Sequence, residues 1–306
     1  MKLTKNSPNE INLNLQRIFG FMIVKNESLR LPYILDYYRG LEIDQFIIID
    51  NGSSDGTLEI LNNQEDVSVF STTDEYGEHW PLIQRLLSLY GLNRWCLVLD
   101  ADEMLFYPHC DIIKLHDLCK FLDDEGGMAL HCILLDTYSK GSIKDVRYKS
   151  GENPLKVAPW FDSETHHKMR SRYYGGMRER VFGITPCITK YPLFRFNKDI
   201  QVSRGMHEIS IKPTQGIRGA LLHFKYMQDF YSRAIEGSKN GQYWNNSFEY
   251  KAYAEVLGKD EHLNLWYPKS VKFSNNEQLI KLGIEETSDL FEKYASNFRV
   301  KRCKNT

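Results

Sequence analysis

The first half of the chain is a series of short, nearly uninterrupted apolar runs, several of which end in acids or polar turn residues. RIFGFMIV (Arg17–Val24), QFIIID (Gln45–Asp50), Val67–Phe70, WCLVLD (Trp95–Asp100) and Met128–Leu134 are β-branched, aromatic and without a helical period. A strand that is apolar on both faces has to be covered on both faces. Helices laid across a parallel sheet do this. The segments between the runs read as such helices: Leu31–Arg39 with Pro32 in its first turn and Gly40 after it, one starting near Thr57 and capped by Asp55, Pro81–Tyr90 closed by Gly91, and roughly Ile112–Leu122. The expected fold is α/β: a mostly parallel, Rossmann-like central sheet with helices on both faces.

The pattern changes after Asp136. Residues Thr137–Gly176 are rich in Gly, Pro, Ser and aromatics, and two shorter apolar runs follow, Tyr191–Phe196 and Ala220–Phe224. From about Gln228 the chain reads as helical, so residues 1–226 are expected to form the main unit and 227–306 a mainly helical C-terminal extension with a frayed tail. Lys and Arg number 39 against 40 Asp and Glu, a net charge of −1, which argues against a generally basic nucleic-acid binder. Aromatics make up 13%, a composition suited to stacking on flat rings or sugars. No apolar run approaches the ~20 residues needed to span a bilayer. The polar N-terminus lacks the apolar segment of a secretory signal. Six cysteines without a CxxC pair suggest buried thiols, Cys96 and Cys132 among them, rather than zinc or disulfides. A reducing cytoplasm is the expected compartment, with peripheral contact at the inner membrane face left open.

Ligands of open parallel sheets bind beyond the carboxyl ends of the strands. Three such ends carry unusual chemistry here: Val24-Lys25-Asn26-Glu27, the segment DNGSSDGT from Asp50 to Thr57, and Asp100-Ala101-Asp102-Glu103. In an extended chain Asp100 and Asp102 would point the same way, about 6.6 Å apart. A pair of carboxylates so placed suits a hard divalent cation that takes its other ligands from phosphates and water, and small Ala101 allows close approach. The plain alternative is a strand-end turn with solvent-facing acids. DNGSSDGT is turn chemistry, with Gly52 and Gly56 free to take positive φ; it is neither a Walker loop nor GxGxxG.

These residues resemble a family. FMIVKNESLRLPYILDYYRGLEIDQFIIIDNGSSDGT, WCLVLDADEMLFYP, YYGGMRERVFG and LLHFKY look like the motifs of GT-A glycosyltransferases of the family-2-like group. The resemblance implies a GT-A fold. It also implies a Mn²⁺- or Mg²⁺-dependent transfer of a hexose-like sugar from a nucleotide-diphosphate sugar to a glycan or glycolipid hydroxyl, with inversion, in surface polysaccharide biosynthesis. By the same resemblance Val24, Asn26 and Glu27 would line the nucleoside pocket. Asp50 would accept from base or ribose, and Asp100 with Ala101 would face ribose or metal. Asp102 would ligate the metal. His223 would join the metal or diphosphate, against the other reading of a histidine satisfied within its strand. Arg180 and Lys225 would neutralise the departing diphosphate.

An inverting transfer also needs a carboxylate to deprotonate the acceptor hydroxyl. The candidates, in order, are Glu179, Asp136 and Glu208. The ED pair that often follows the GG turn in this family is missing after Gly175-Gly176. Two further readings stand beside the glycosyltransferase: a nucleotidyltransferase of sugar phosphates, and a non-catalytic carbohydrate-binding module.

Overall fold

The structure, a computed structural model, describes residues 2–14, 16–74, 79–241 and 244–303, the side chains of Trp244 and of 300–303 excepted. The end of the tail expected to fray, 304–306, lies outside them. In chain order the elements begin β1 (Thr4–Lys5), β2 (Phe19–Val24), α1 (Leu31–Gly40), β3 (Gln45–Asp50), α2 (Thr57–Asn62), β4 (Val67–Ser71), α3 (His79–Leu86), β5 (Trp95–Val98), β6 (Glu103–Phe106), α4 (Leu115–Asp124) and β7 (Ala129–Tyr138). They continue with β8 (Trp160–Phe161), β9 (His166–Met169), β10 (Arg172–Gly175), α5 (Met177–Phe182), β11 (Thr189–Arg195), β12 (Val202–Ser203), β13 (Glu208–Ile209) and β14 (Arg218–His223). The C-terminal part holds α6 (Phe230–Asn240), α7 (Trp244–Lys259), β15 (Val271–Lys272), α8 (Asn276–Lys281) and α9 (Asp289–Cys303).

The main sheet runs β1-β4-β3-β2-β5-β11-β7-β14-β6. Strands β2 to β5 are mutually parallel, β14 is parallel to β7, and β1, β11 and β6 run against their neighbours. The α/β expectation of a mostly parallel sheet with helices on both faces therefore holds. Alternate residues explain the two-sided burial. Met22, Phe46 and Ile48 share one apolar cluster with Ile34, Leu35 and Tyr38 of α1 and Leu118 of α4. Phe21, Ile47 and Ile49 share the opposite one with Leu82, Ile83 and Leu86 of α3. The C-terminal helices extend this core: Leu279, Phe291 and Ala295 join the first cluster. A third cluster packs Phe230 and Tyr253 against Phe182 and Tyr226.

Strand β6 was not legible in the sequence. It spans four residues directly after the acidic turn, and its partner β14 lies far along the chain. Its position forces the sheet to curl. Four inter-strand steps of about 4.8 Å separate β5 from β6 in a flat sheet, more than the linker from Val98 to Glu103 can cover while also turning. Strand β7 is longer than the expected Met128–Leu134, so Asp136 lies within the strand and not past its end.

At the crowded middle of β14, a Cβ added to Gly219 would lie 2.6 Å from the Phe106 carbonyl oxygen and 3.0 Å from Cys132 Sγ. Backbone cannot yield as a side chain can. Gly219→Ala is expected to destabilise the fold by about 1–3 kcal/mol, read as a lower urea midpoint at unchanged slope.

Candidate active site

The parallel strands bring the carboxyl ends of β2, β3, β5, β7 and β14 to one edge, where the antiparallel strands β6 and β11 begin. Asp100-Ala101-Asp102 crosses this edge as a turn, with Glu103 N donating to the Asp100 carbonyl at 3.2 Å. The expectation of an extended segment with two carboxylates side by side is corrected. The turn sends the acids to different partners: Asp102 meets His223 Nε2 at 3.2 Å, and Asp100 meets Lys190 Nζ at 2.9 Å.

His223 closes β14 beside Asp136 of β7, its register partner. Its Nδ1 stands 2.7 Å from Asp136 Oδ1, so both ring nitrogens face carboxylates. Burial alone would discharge this imidazole. Asp102 and Asp136 outweigh that and raise it to about 9, leaving an imidazolium that donates at both nitrogens and offers no lone pair to a metal. Burial would likewise raise the two acids, but His223 holds Asp102 well below the usual carboxylate range. Arg178 and His223 bring Asp136 to about 2. Arg178 Nε donates to Asp136 Oδ2 at 2.8 Å and its other arm reaches Glu249 of α7 at 3.4 Å. Lys225, two residues past His223, lies beneath the rings of Tyr250 and Tyr253, 4.8 and 4.9 Å from their centroids.

Lys190, at the start of β11, is buried between Asp100 and Glu103. Its ammonium stays charged because these acids outweigh the cost of burial, whereas burial pushes Glu103 up to about 7. Sequence reasoning missed Lys190, although a lysine embedded in the apolar run ITKYPLF was the available signal. It also missed Arg178, two residues from the arginine it favoured.

The remaining expected residues fall into three groups. Asn26, at φ 55°, and Asp50 shape the loops. Asn26 Oδ1 accepts from Ser54 N at 2.8 Å, and Asp50 accepts from the amides of Gly52 and Ser53 at 3.2–3.3 Å. Val24 is buried, its carbonyl accepting from Asn51 N, and Ala101 is buried in the turn itself. Glu27 is bound by Arg233 at 2.6 Å and by Arg30 at 3.4 Å, while Arg30 also holds Asp229 at 2.7 Å, clamping this loop to α6.

Among the described residues the third group makes no hydrogen bond or ion pair with Asp102, His223 or Asp136. Arg180 binds Asp162 at 2.7 Å and stacks on Tyr267. Glu179 accepts from Thr185 Oγ1 at 3.0 Å, and Glu208 pairs with Arg172 at 2.9 Å and Arg204 at 3.2 Å. The structure therefore does not bring Arg180, Glu179 and Glu208 together with that cluster, and each has a local partner instead. Asp136 is in place but, as a doubly paired acid with so low a pKa, is a poor proton acceptor.

No protein-family model matches the chain, and no curated protein sequence matches it. Among solved structures, it is similar to a glucose-1-phosphate thymidylyltransferase from Bacillus anthracis at 11% identity and TM-score 0.29, over 44% of this chain and 65% of that one, less than two thirds of its length. It is also similar to a 4-diphosphocytidyl-2C-methyl-D-erythritol synthase, at 12% identity and TM-score 0.30 over 88% and 98% of the two chains. A UDP-glucose pyrophosphorylase from Acinetobacter baumannii aligns at 10% identity and TM-score 0.32 over 80% and 84%. None of these three is named for glycosyl transfer. The expectation of a glycosyltransferase is corrected on that finding.

The His223 pair has a measurable sign. Its folded pKa of about 9 lies above the unfolded value, so its stabilisation is complete below about pH 6.5 and is lost as pH rises through 9, on the order of 3 kcal/mol in all. Thermal or urea unfolding in EDTA is expected to show this decline from pH 6.5 to 9.5, and His223→Gln is expected to flatten it. An unchanged slope in the variant would refute the assignment.

Proposed function

We propose that the chain is a nucleotidyl-transfer enzyme of nucleotide-sugar chemistry, joining a nucleoside triphosphate to a sugar phosphate with release of pyrophosphate, or running the reverse reaction. The observation that carries this reading is the pairing of charges at the strand edge. Three buried cations, Lys190, His223 and Arg178, and the half-buried Lys225 stand among Asp100, Asp102 and Asp136. Attack by a sugar-phosphate oxygen on the α-phosphorus forms one P–O bond and breaks the α–β bridging P–O bond. Nucleophile and leaving group are both already anions, so no side chain has to remove a proton. The step needs positioning and positive charge instead.

The acids of the turn fit a divalent cation as an open site. Asp100 is 45% exposed at its side chain and Asp102 18%. Among the described residues no group of three or more His, Cys, Asp or Glu is arranged to hold a metal; Asp102 or Asp100 would hold Mg²⁺ or Mn²⁺ with phosphate oxygens and water supplying the other ligands. When bound, the ion would neutralise charge on the phosphates. Lys225, close enough to Asp102 for the two charges to interact, supplies a cation to the leaving pyrophosphate. His223 holds Asp102 and Asp136 in register. Arg30 and Arg233 keep the Asn26–Glu27 loop in its left-handed conformation next to the Ser53–Ser54 amides.

Two outcomes test this. Pyrophosphate release from a panel of nucleoside triphosphates and sugar 1-phosphates with Mg²⁺ or Mn²⁺ is expected, and its absence across the panel would sink the proposal. Lys225→Ala and Asp102→Asn are each expected to lower kcat by about 10²-fold or more, with circular dichroism unchanged.

A further inference from the structure

Beside Lys190 the strand edge carries a histidine with an unused acceptor. His207 lies in the turn between β12 and β13, and its Nδ1 stands 2.7 Å from the Thr189 carbonyl oxygen at the start of β11. A carbonyl oxygen can only accept, so Nδ1 carries the proton and Nε2 keeps a lone pair. Burial, and after it the charge of Lys190, hold the ring neutral by bringing it down to about 3. The residue is half-buried. Among the described residues Nε2 has no hydrogen-bond partner, and unlike Nε2 of His131 it keeps surface open to solvent.

The turn that presents this ring is left-handed at three successive residues, Arg204 (φ 49°), Gly205 (φ 67°) and Met206 (φ 63°). Such backbone is costly and persists only where its surroundings fix it. Met206 supplies the anchor, packed in one apolar cluster with Leu82 and Ile83 of α3. A Cβ on Gly205 would stand 3.3 Å from His207 Cδ2, 3.7 Å from Nε2 and 3.8 Å from Cζ2 of Trp80. With no side chain there, the imidazole edge and the half-buried indole border one space. Trp80 is the second residue of α3, whose first, His79, is tied through its Nε2 to Asn51 Oδ1 at 3.2 Å, in the loop after β3. The charge of Asp100 reaches both His79 and His207, so indole, imidazole and Asp100 belong to one corner of the edge.

We propose that His207 is a substrate-contact residue: its Nε2 accepts a hydrogen bond from a ring hydroxyl of the nucleotide sugar, the ribose's or the sugar's, and Trp80 forms an apolar wall for that ring. The contact rests on reading the edge as a nucleotide-sugar site. Within that reading the chemistry selects the group. An ionised phosphate has no proton to give a lone pair, whereas a hydroxyl does. The rings bonded directly to phosphates gathered at Asp100 and Asp102 are the ribose and the sugar, and both offer apolar C–H faces that pack on an indole.

The test is calorimetry on the full chain with Mg²⁺, using UDP, GDP, their 2′-deoxy and 3′-deoxy forms, UDP-glucose and GDP-mannose as probes. His207→Asn keeps an amide at the Nδ1 position to bond Thr189 and removes the acceptor; His207→Gln places a carbonyl oxygen near Nε2. The Asn variant is expected to bind a probe carrying the contacted hydroxyl about fivefold more weakly or worse, and the Gln variant to recover most of that loss. A loss seen with UDP or GDP and absent from a deoxy form assigns the ribose. A loss seen only with UDP-glucose or GDP-mannose assigns the sugar. Equal affinities of the unaltered chain and His207→Asn overturn the contact alone, since pyrophosphate release tests the reaction separately. Equal losses in the Asn and Gln variants, or a loss shared by every probe, overturn it as well by making the ring structural. If no probe binds the unaltered chain, the contact falls together with the site.

Discussion

His223 sits between two carboxylates, and the strand edge is organised around that contact. Its ring ties the Asp102 turn, which leads into β6, to Asp136 in β7, and Arg178 carries the chain of charges on to Glu249 in α7. His223, Asp136 and Arg178 are buried, and a buried charge persists only if its partner is present. Removing any one would leave its neighbours uncompensated, so the turn, the strand ends and the C-terminal helix pair are specified together. The curl that brings β6 onto β14 completes the arrangement, because it places Asp102, just past β5, within reach of a histidine on a strand three positions away in the flat order.

A second ion-pair group performs the same service at the loop after β2. Arg30 and Arg233 bind Glu27, Asp229 and the backbone of residues 26, 224 and 225. The loop after β2 and the segment after β14 are thus fixed to α6. The consequence is an edge rich in both signs of charge, with its cations held in place by acids. Electrostatic preorganisation of this kind costs no rearrangement at the moment of reaction.

Much of this was legible in the sequence, and the failures have physical causes. QFIIID ends where the strand ends because its β-branched run and the polar turn after it agree. Asp100 and Asp102 were singled out from a local pattern, yet their geometry was misjudged, since the chain turns at Asp100 to enter a four-residue strand whose partner is more than a hundred residues away. Glu179 looked promising because it follows a Gly-Gly turn, and Arg180 because the resemblance implied a cation for a diphosphate. On the short helix α5, however, it is Arg178 that faces Asp136, while Glu179 and Arg180 face Thr185 and Asp162. Residue type was readable there and direction was not.

By itself the sequence determined the alternation of strands and helices, the two-sided burial of the sheet and the polar character of its strand ends, because apolar periodicity and turn chemistry are local properties. Only the tertiary structure decided which charges meet. The pairings of His223 with Asp102 and Asp136, Lys190 with Asp100, and Arg233 with Glu27 join residues far apart in the chain, and their protonation follows from burial and from each other. No local pattern encodes a desolvated ion pair, since both its cost and its compensation exist only after the strands have closed around it.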